Sequence, residues 1–145
     1  MGRQSSRNET GAEVILVDSS VWIDYFNGRK NFQTDSLHQL LGTSPLLTGD
    51  FILAEVLQGF RADAAYRKAL SLLESLDYAD MFGRSVALKS AANYRFLRKQ
   101  GISVRKMVDV IIGTFCIEND HILLHNDRDF LPLVEYCGLK IFRAS

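Results

Sequence analysis

The chain has 145 residues, 47% of them hydrophobic, with 17 basic and 17 acidic side chains and a formal net charge of zero. That length and apolar content suffice for one compact domain with its own core, and the charge balance excludes a nucleic-acid binder that works through net charge alone. Any polyanion partner must be held by local patches or by metal.

Residues 1–13 are polar and lack the apolar stretch of a signal peptide, so a flexible N-terminal arm is expected ahead of a single domain over 14–145. Val14-Ile15-Leu16-Val17 is a continuous β-branched run, the pattern of a central parallel strand covered on both faces. Asp18 lies just past its end. Ser19 and Ser20 are expected to cap a helix whose Val21, Trp22, Tyr25 and Phe26 form an apolar stripe, and Asn27-Gly28 stops it. A short helix over Asp35 to Leu41 and a strand over Pro45 to Thr48 come next. Asp50 is expected to cap a helix from Phe51 to Phe60, on which Ile52, Glu55, Val56 and Gly59 share one face. Ala62 to Leu76 and Arg84 to Gln100 read as amphipathic helices, the second closed by Gly101. Ser103 is expected to cap Val104 to Asn119, a helix apolar on nearly every side and therefore buried. His121 to Leu124 reads as a strand, Asn126 to Phe130 as an acid-rich turn, and Leu139 to Phe142 as a last strand. Strands alternating with helices predict an α/β fold with an open parallel sheet and helices on both faces. Cys116 and Cys137 have no metal or disulfide spacing and are expected to be reduced thiols. No run reaches the roughly 20 apolar residues of a membrane span, and a soluble cytoplasmic protein is expected.

Four acids interrupt or end apolar segments: Asp18, Glu55, Asp109 and Asp127. Ionised carboxylates in such places are costly unless compensated. Asp18 and Asp127 follow strands, and sites in open parallel sheets form outside the C-terminal strand ends. Glu55 and Asp109 sit on helices able to reach the same crevice. Two carboxylates about 4 Å apart repel by roughly 4 kcal/mol at an effective dielectric of 20, so a cluster of four requires protons or cations. A divalent ion such as Mg²⁺ suits an all-oxygen donor set, and the lack of paired cysteines or a histidine triad argues against zinc. Hydrolysis of a phosphodiester is the natural reaction for such a centre.

The order of these segments resembles the PIN-domain ribonucleases, and within them the VapC toxins of bacterial toxin-antitoxin pairs. The resemblance spans Val14 to Phe142. It rests on Leu16-Val17-Asp18-Ser19-Ser20-Val21-Trp22-Ile23-Asp24, on Leu53-Ala54-Glu55-Val56-Leu57-Gln58-Gly59, on Tyr94-Arg95 with Leu97-Arg98 and Gly101 leading into Asp109, and on Asn126-Asp127-Arg128-Asp129-Phe130. It implies a PIN-like three-layer fold with about five parallel strands, Mg²⁺ or Mn²⁺ as cofactor, homodimers and cleavage of single-stranded or loop RNA. It also implies a small VapB-like antitoxin whose inserted segment silences the site in a toxin-antitoxin hetero-oligomer. Asp18, Glu55, Asp109 and Asp127 match the family's acidic quartet, the catalytic and metal-binding residues. Ser20 matches a hydroxyl that orients the acids, and Asp129 a supporting acid. His125 stands where the family usually has Thr or Ser; an extra ligand or proton carrier is one reading of it, and a hydrogen-bonded structural histidine, like His121, is the better one.

Taken singly, each acid has a plainer role as a cap, turn former or exposed helix residue, Asp109 least so. Asp24 is expected in a solvent or salt-bridge role, and Trp22, Tyr25, Phe26 and Tyr94 in core or dimer contacts. Arg95, Arg98, Lys99, Arg105 and Lys106 are either a solvated face or a phosphate-gripping rim. An RNA-maturation nuclease of the same fold, outside any toxin-antitoxin pair, is the near alternative. A phospho-acceptor receiver is remote, since Asp18 is followed by Ser19-Ser20. A haloacid-dehalogenase-type phosphatase is equally remote, since Ser20 fills the place of its second Asp.

Overall fold

A computed structural model describes residues 13–143; the expected arm, apart from Glu13, lies outside them. Five short strands, β1 (Ile15–Val17), β2 (Leu46–Gly49), β3 (Asp77–Ala79), β4 (Ile122–Leu124) and β5 (Lys140–Ile141), form one parallel sheet in the order β3-β2-β1-β4-β5. Every residue of β1 and β2 is buried, although successive side chains point to opposite faces, so both faces of the sheet centre are covered. The covering helices are α1 (Ser19–Phe26), α2 (Phe32–Leu40), α3 (Asp50–Leu57), α4 (Asp63–Glu74), α5 (Arg84–Lys99), α6 (Met107–Asn119) and α7 (Leu131–Cys137). The chain winds outward from β1 through β2 to β3, then returns to place β4 on the other side of β1. That reversal makes the β1/β4 boundary the switch point, the place where open parallel sheets bind ligands beyond their C-terminal strand ends.

One apolar cluster unites both layers: Leu16, Val17, Trp22, Ile52, Ile112, Leu123 and Phe130 are all essentially without solvent exposure. Trp22 stacks on Phe26 at 5.7 Å and meets Tyr25 edge-on at 6.2 Å, which fixes α1 as a core element. Cys116 and Cys137 are free thiols. No helix among the described residues is long and apolar enough to cross a membrane.

Several boundaries depart from the sequence reading. Ser19 and Ser20 are inside α1, and the cap is Asp18, whose side chain accepts from the Ser20 amide. Helix α2 starts at Phe32 because Asn31 and Thr34 exchange side-chain and backbone hydrogen bonds in a capping box. Asp50 is the first residue of α3 rather than its cap, and its Oδ1 accepts from the amides of Phe51 (2.9 Å) and Met81 (3.1 Å). Helix α6 starts at Met107, not Val104, so Ser103 caps nothing. Strand β3 and helix α7 were not legible. Asp77 and Tyr78 are exposed on an edge strand, and α7 is a two-turn helix opened by Pro132.

Candidate metal centre

Asp18 leaves β1 at the switch point, and its amide donates to the Leu124 carbonyl at 2.9 Å, extending the β1–β4 ladder by one step. Only 3% of it is exposed. Its Oδ2 accepts from the Ser20 amide (3.0 Å) and the Ser20 hydroxyl (2.6 Å), and the same hydroxyl accepts from the Asn126 amide at 3.1 Å. Ser20 thus ties the end of β1 to the turn after β4. Asn126 is held again from its side chain, which donates to Asp24 Oδ2 at 3.3 Å; Asp24 also accepts from Asn31 and faces Arg29 at 3.8 Å. Asp24 therefore has the expected salt bridge and in addition braces the site turn.

Glu55, half-buried on α3, accepts from the buried Ser19 hydroxyl at 3.1 Å, so one turn of α1 holds both Asp18 and Glu55. Asp109 is the third residue of α6, 5% exposed, and its Oδ2 is buried without a hydrogen-bond partner among the described residues. A carboxylate in the first turn of a helix is favoured by the helix dipole, which offsets part of the burial cost. Asp127 Oδ1 accepts from the Asp129 amide (2.9 Å) and its Oδ2 from Lys106 Nζ (3.3 Å). Its own amide donates to His125 Nδ1 at 3.2 Å. One carboxylate oxygen each from Asp109, Asp127 and Asp129 lies within 4.8 Å of the other two.

The charges act on one another. Burial pushes the Asp18 carboxyl above its ordinary value against the pull of Ser20, and the Asp127 charge adds to the rise. Burial likewise raises Glu55, opposed by Ser19 and assisted by Asp18. Asp109 is pushed up to about 7, by burial first and then by the charge of Asp127, despite nearby Lys106. Burial also disfavours ionised Asp127, but the Asp129 amide and the Lys106 ammonium outweigh it and hold the group below its usual range. The centre holds more negative charge than its one contacting ammonium balances. Its donors are hard oxygens, and one buried oxygen has no partner. The residues therefore fit a hard divalent cation such as Mg²⁺ or Mn²⁺.

His125 accepts from the Asp127 amide at Nδ1 and packs its ring on Phe130 at 5.0 Å, contacts that a structural histidine would make. His121 differs from the expectation of a satisfied histidine: it is 3% exposed, beside Phe115 at 5.7 Å, and neither ring nitrogen has a hydrogen-bond partner among the described residues. The basic cluster divides. Lys106 reaches the carboxylates, whereas Arg98 lies over the Tyr94 ring at 5.8 Å. The contact of Lys106 with Asp109 was available as an i, i+3 spacing ahead of a buried acid. The bracing by Asp24 and Asn126 had no local signal.

A carboxylate cluster at the switch point of a five-stranded parallel sheet defines an α/β protein with a candidate metal site. The family model described as PIN domain matches residues 15–133, and the chain belongs to that family. It is similar to Ribonuclease VapC11 of Mycobacterium tuberculosis, 25% identical over 129 residues that cover 88% of this chain and 96% of the relative. In fold it resembles VapBC2 from Rickettsia felis bound to a promoter DNA fragment (TM-score 0.70, 14% identity, 89% and 97% of the two chains). It also resembles VapBC-1 from nontypeable Haemophilus influenzae (TM-score 0.67, 19% identity, 89% and 96%).

Proposed function

We propose that this chain, a single PIN domain over residues 14–145, is a metal-dependent endoribonuclease that acts in the cytoplasm as the toxin of a toxin-antitoxin pair. The observation that carries the reading is Asp109: a buried carboxylate oxygen without a hydrogen-bond partner among the described residues, set beside Asp127 and Asp129. The PIN family match and the likeness to a relative named as a ribonuclease support RNA as the substrate.

Asp18, Glu55, Asp109 and Asp127 would hold Mg²⁺ or Mn²⁺, with Asp129 alongside. Bound there, such an ion would activate water and offset charge that develops on the phosphodiester. The protein's own part is to fix the donors in advance. Ser20 holds Asp18 through two hydrogen bonds, Ser19 holds Glu55 through one, and the Asp129 amide and His125 hold Asp127 from side chain and backbone. Exposed Arg95 and Lys99 offer local positive charge to an RNA backbone on a chain with no net charge. The VapBC structures support a VapB-like antitoxin as partner, and the reading includes a homodimer within the hetero-oligomer.

Brief expression of wild type and of Asp109→Asn, followed by mapping of cleaved ends in total RNA, tests the reading. New ends are expected with the wild type alone. Identical maps refute a nuclease that depends on Asp109. Co-expression with the product of a short adjacent reading frame is expected to suppress the ends and copurify the two chains.

A further inference from the structure

The Lys106 ammonium lies 3.3 Å from Asp127 Oδ2 and 3.9 Å from Asp109 Oδ2, between two of the acids best placed to hold a metal ion. Among the described residues no other lysine or arginine forms an ion pair with Asp18, Glu55, Asp109 or Asp127. The hold is partial: Lys106 is hydrogen-bonded to Asp127 only, and Asp109 Oδ2 remains without a bond. The side chain is half exposed, and its residue sits in extended backbone immediately before α6. It can swing to solvent about its own rotamers without disturbing the helix that carries Asp109.

We propose that Lys106 is a built-in, exchangeable counter-ion of the carboxylate centre. Its ammonium bridges Asp109 and Asp127 until a divalent cation displaces it, so the lysine sets the concentration at which the ion is taken up. The inference rests on the metal-centre reading above and adds to it a residue of the chain that competes for the same oxygens. The carboxylates then stay gathered before the ion arrives, and ion binding must break a pair already formed. A half-exposed pair of this kind is worth about fivefold in an equilibrium constant.

The test is calorimetric titration of Mn²⁺ into the full-length protein, comparing wild type with Lys106→Met and Arg105→Met. Arg105 is the neighbouring exposed cation and forms no ion pair with the acids among the described residues, so it controls for a general change of surface charge. Lys106→Met is expected to bind Mn²⁺ about fivefold more tightly, with Arg105→Met close to wild type. In EDTA, Lys106→Met is expected to melt below the wild type and to recover when Mn²⁺ is added. Equal affinities in all three proteins, or equal tightening in both variants, overturn the counter-ion role and leave the metal centre standing. A wild type that binds no Mn²⁺ overturns both.

Discussion

Replacing Asp109 with Asn separates what the centre costs the fold from what it does. The carboxyl is 5% exposed and its pKa is pushed from 3.8 to about 7. The folded protein therefore binds that proton more tightly than the unfolded chain, and metal-free stability declines as the pH rises from the unfolded value through about 7. Moving that pKa from 3.8 to about 7 corresponds to about 4 kcal/mol once the pH exceeds 7. An Asn amide removes the charge but leaves a buried polar group without a partner, which costs roughly 1–3 kcal/mol. The variant is expected to be more stable than wild type by about 2 kcal/mol at pH 8 in EDTA, and about equal to it at pH 5. Urea unfolding at the two pH values measures this. Added Mg²⁺ is expected to stabilise the wild type and leave Asp109→Asn unchanged. A variant less stable than wild type at pH 8 in EDTA would refute the electrostatic account of the site.

Ser20→Ala removes the hydroxyl shared by Asp18 and the Asn126 amide. It is expected to lower RNA cleavage by about 10- to 100-fold on a fluorogenic substrate, with Ser20→Thr retaining most of the rate. Burial lowers the pKa of His121, so its unfolded form takes up a proton first, and stability is lost as the pH falls below the unfolded value. His121→Leu is expected to flatten that loss between pH 7.5 and pH 5 in thermal melts; an unchanged slope sinks the assignment. Gly49 ends β2 against Met81, with the Ala79 carbonyl 3.0 Å from where a Cβ would stand. Gly49→Ala is expected to destabilise by about 1–3 kcal/mol in urea, through overpacking, without a change in the pH dependence.

The sequence announced the central strands and the buried helix because their apolar runs are continuous, and β1, β2, β4, α1 and α6 appear where those runs lie. Strand β3 carried no such run. It is an exposed edge, and pairing with β2 rather than its own composition makes it a strand. The start of α6 was misplaced by three residues, since serine at 103 looked like a cap while Lys106 occupies the position. Four acids were identifiable as anomalies because burial of charge is costly wherever it occurs. The groups that hold them were partly hidden. Ser20 lies two residues from Asp18 and could be inferred, but Asn126 reaches Ser20 across 106 positions and Asp24 across 102. Such contacts are made by strand order, which short-range periodicity does not encode.

The spacing of Asp18 and Asp127 follows from the pairing of β1 with β4, Val17 opposite Leu124, with Asp18 immediately after its strand and Asp127 three residues after its own. The chemistry is thus tied to the hydrogen-bond ladder rather than to the loops that separate the strands in sequence. Length changes at the opposite ends of the strands, around Pro45 or Asp120, leave that ruler untouched. One residue gained or lost between Ile15 and Asp18 would turn the acid to the other face of the sheet. Insertions in this chain therefore divide by side, tolerable where the strands begin and ruinous where they end.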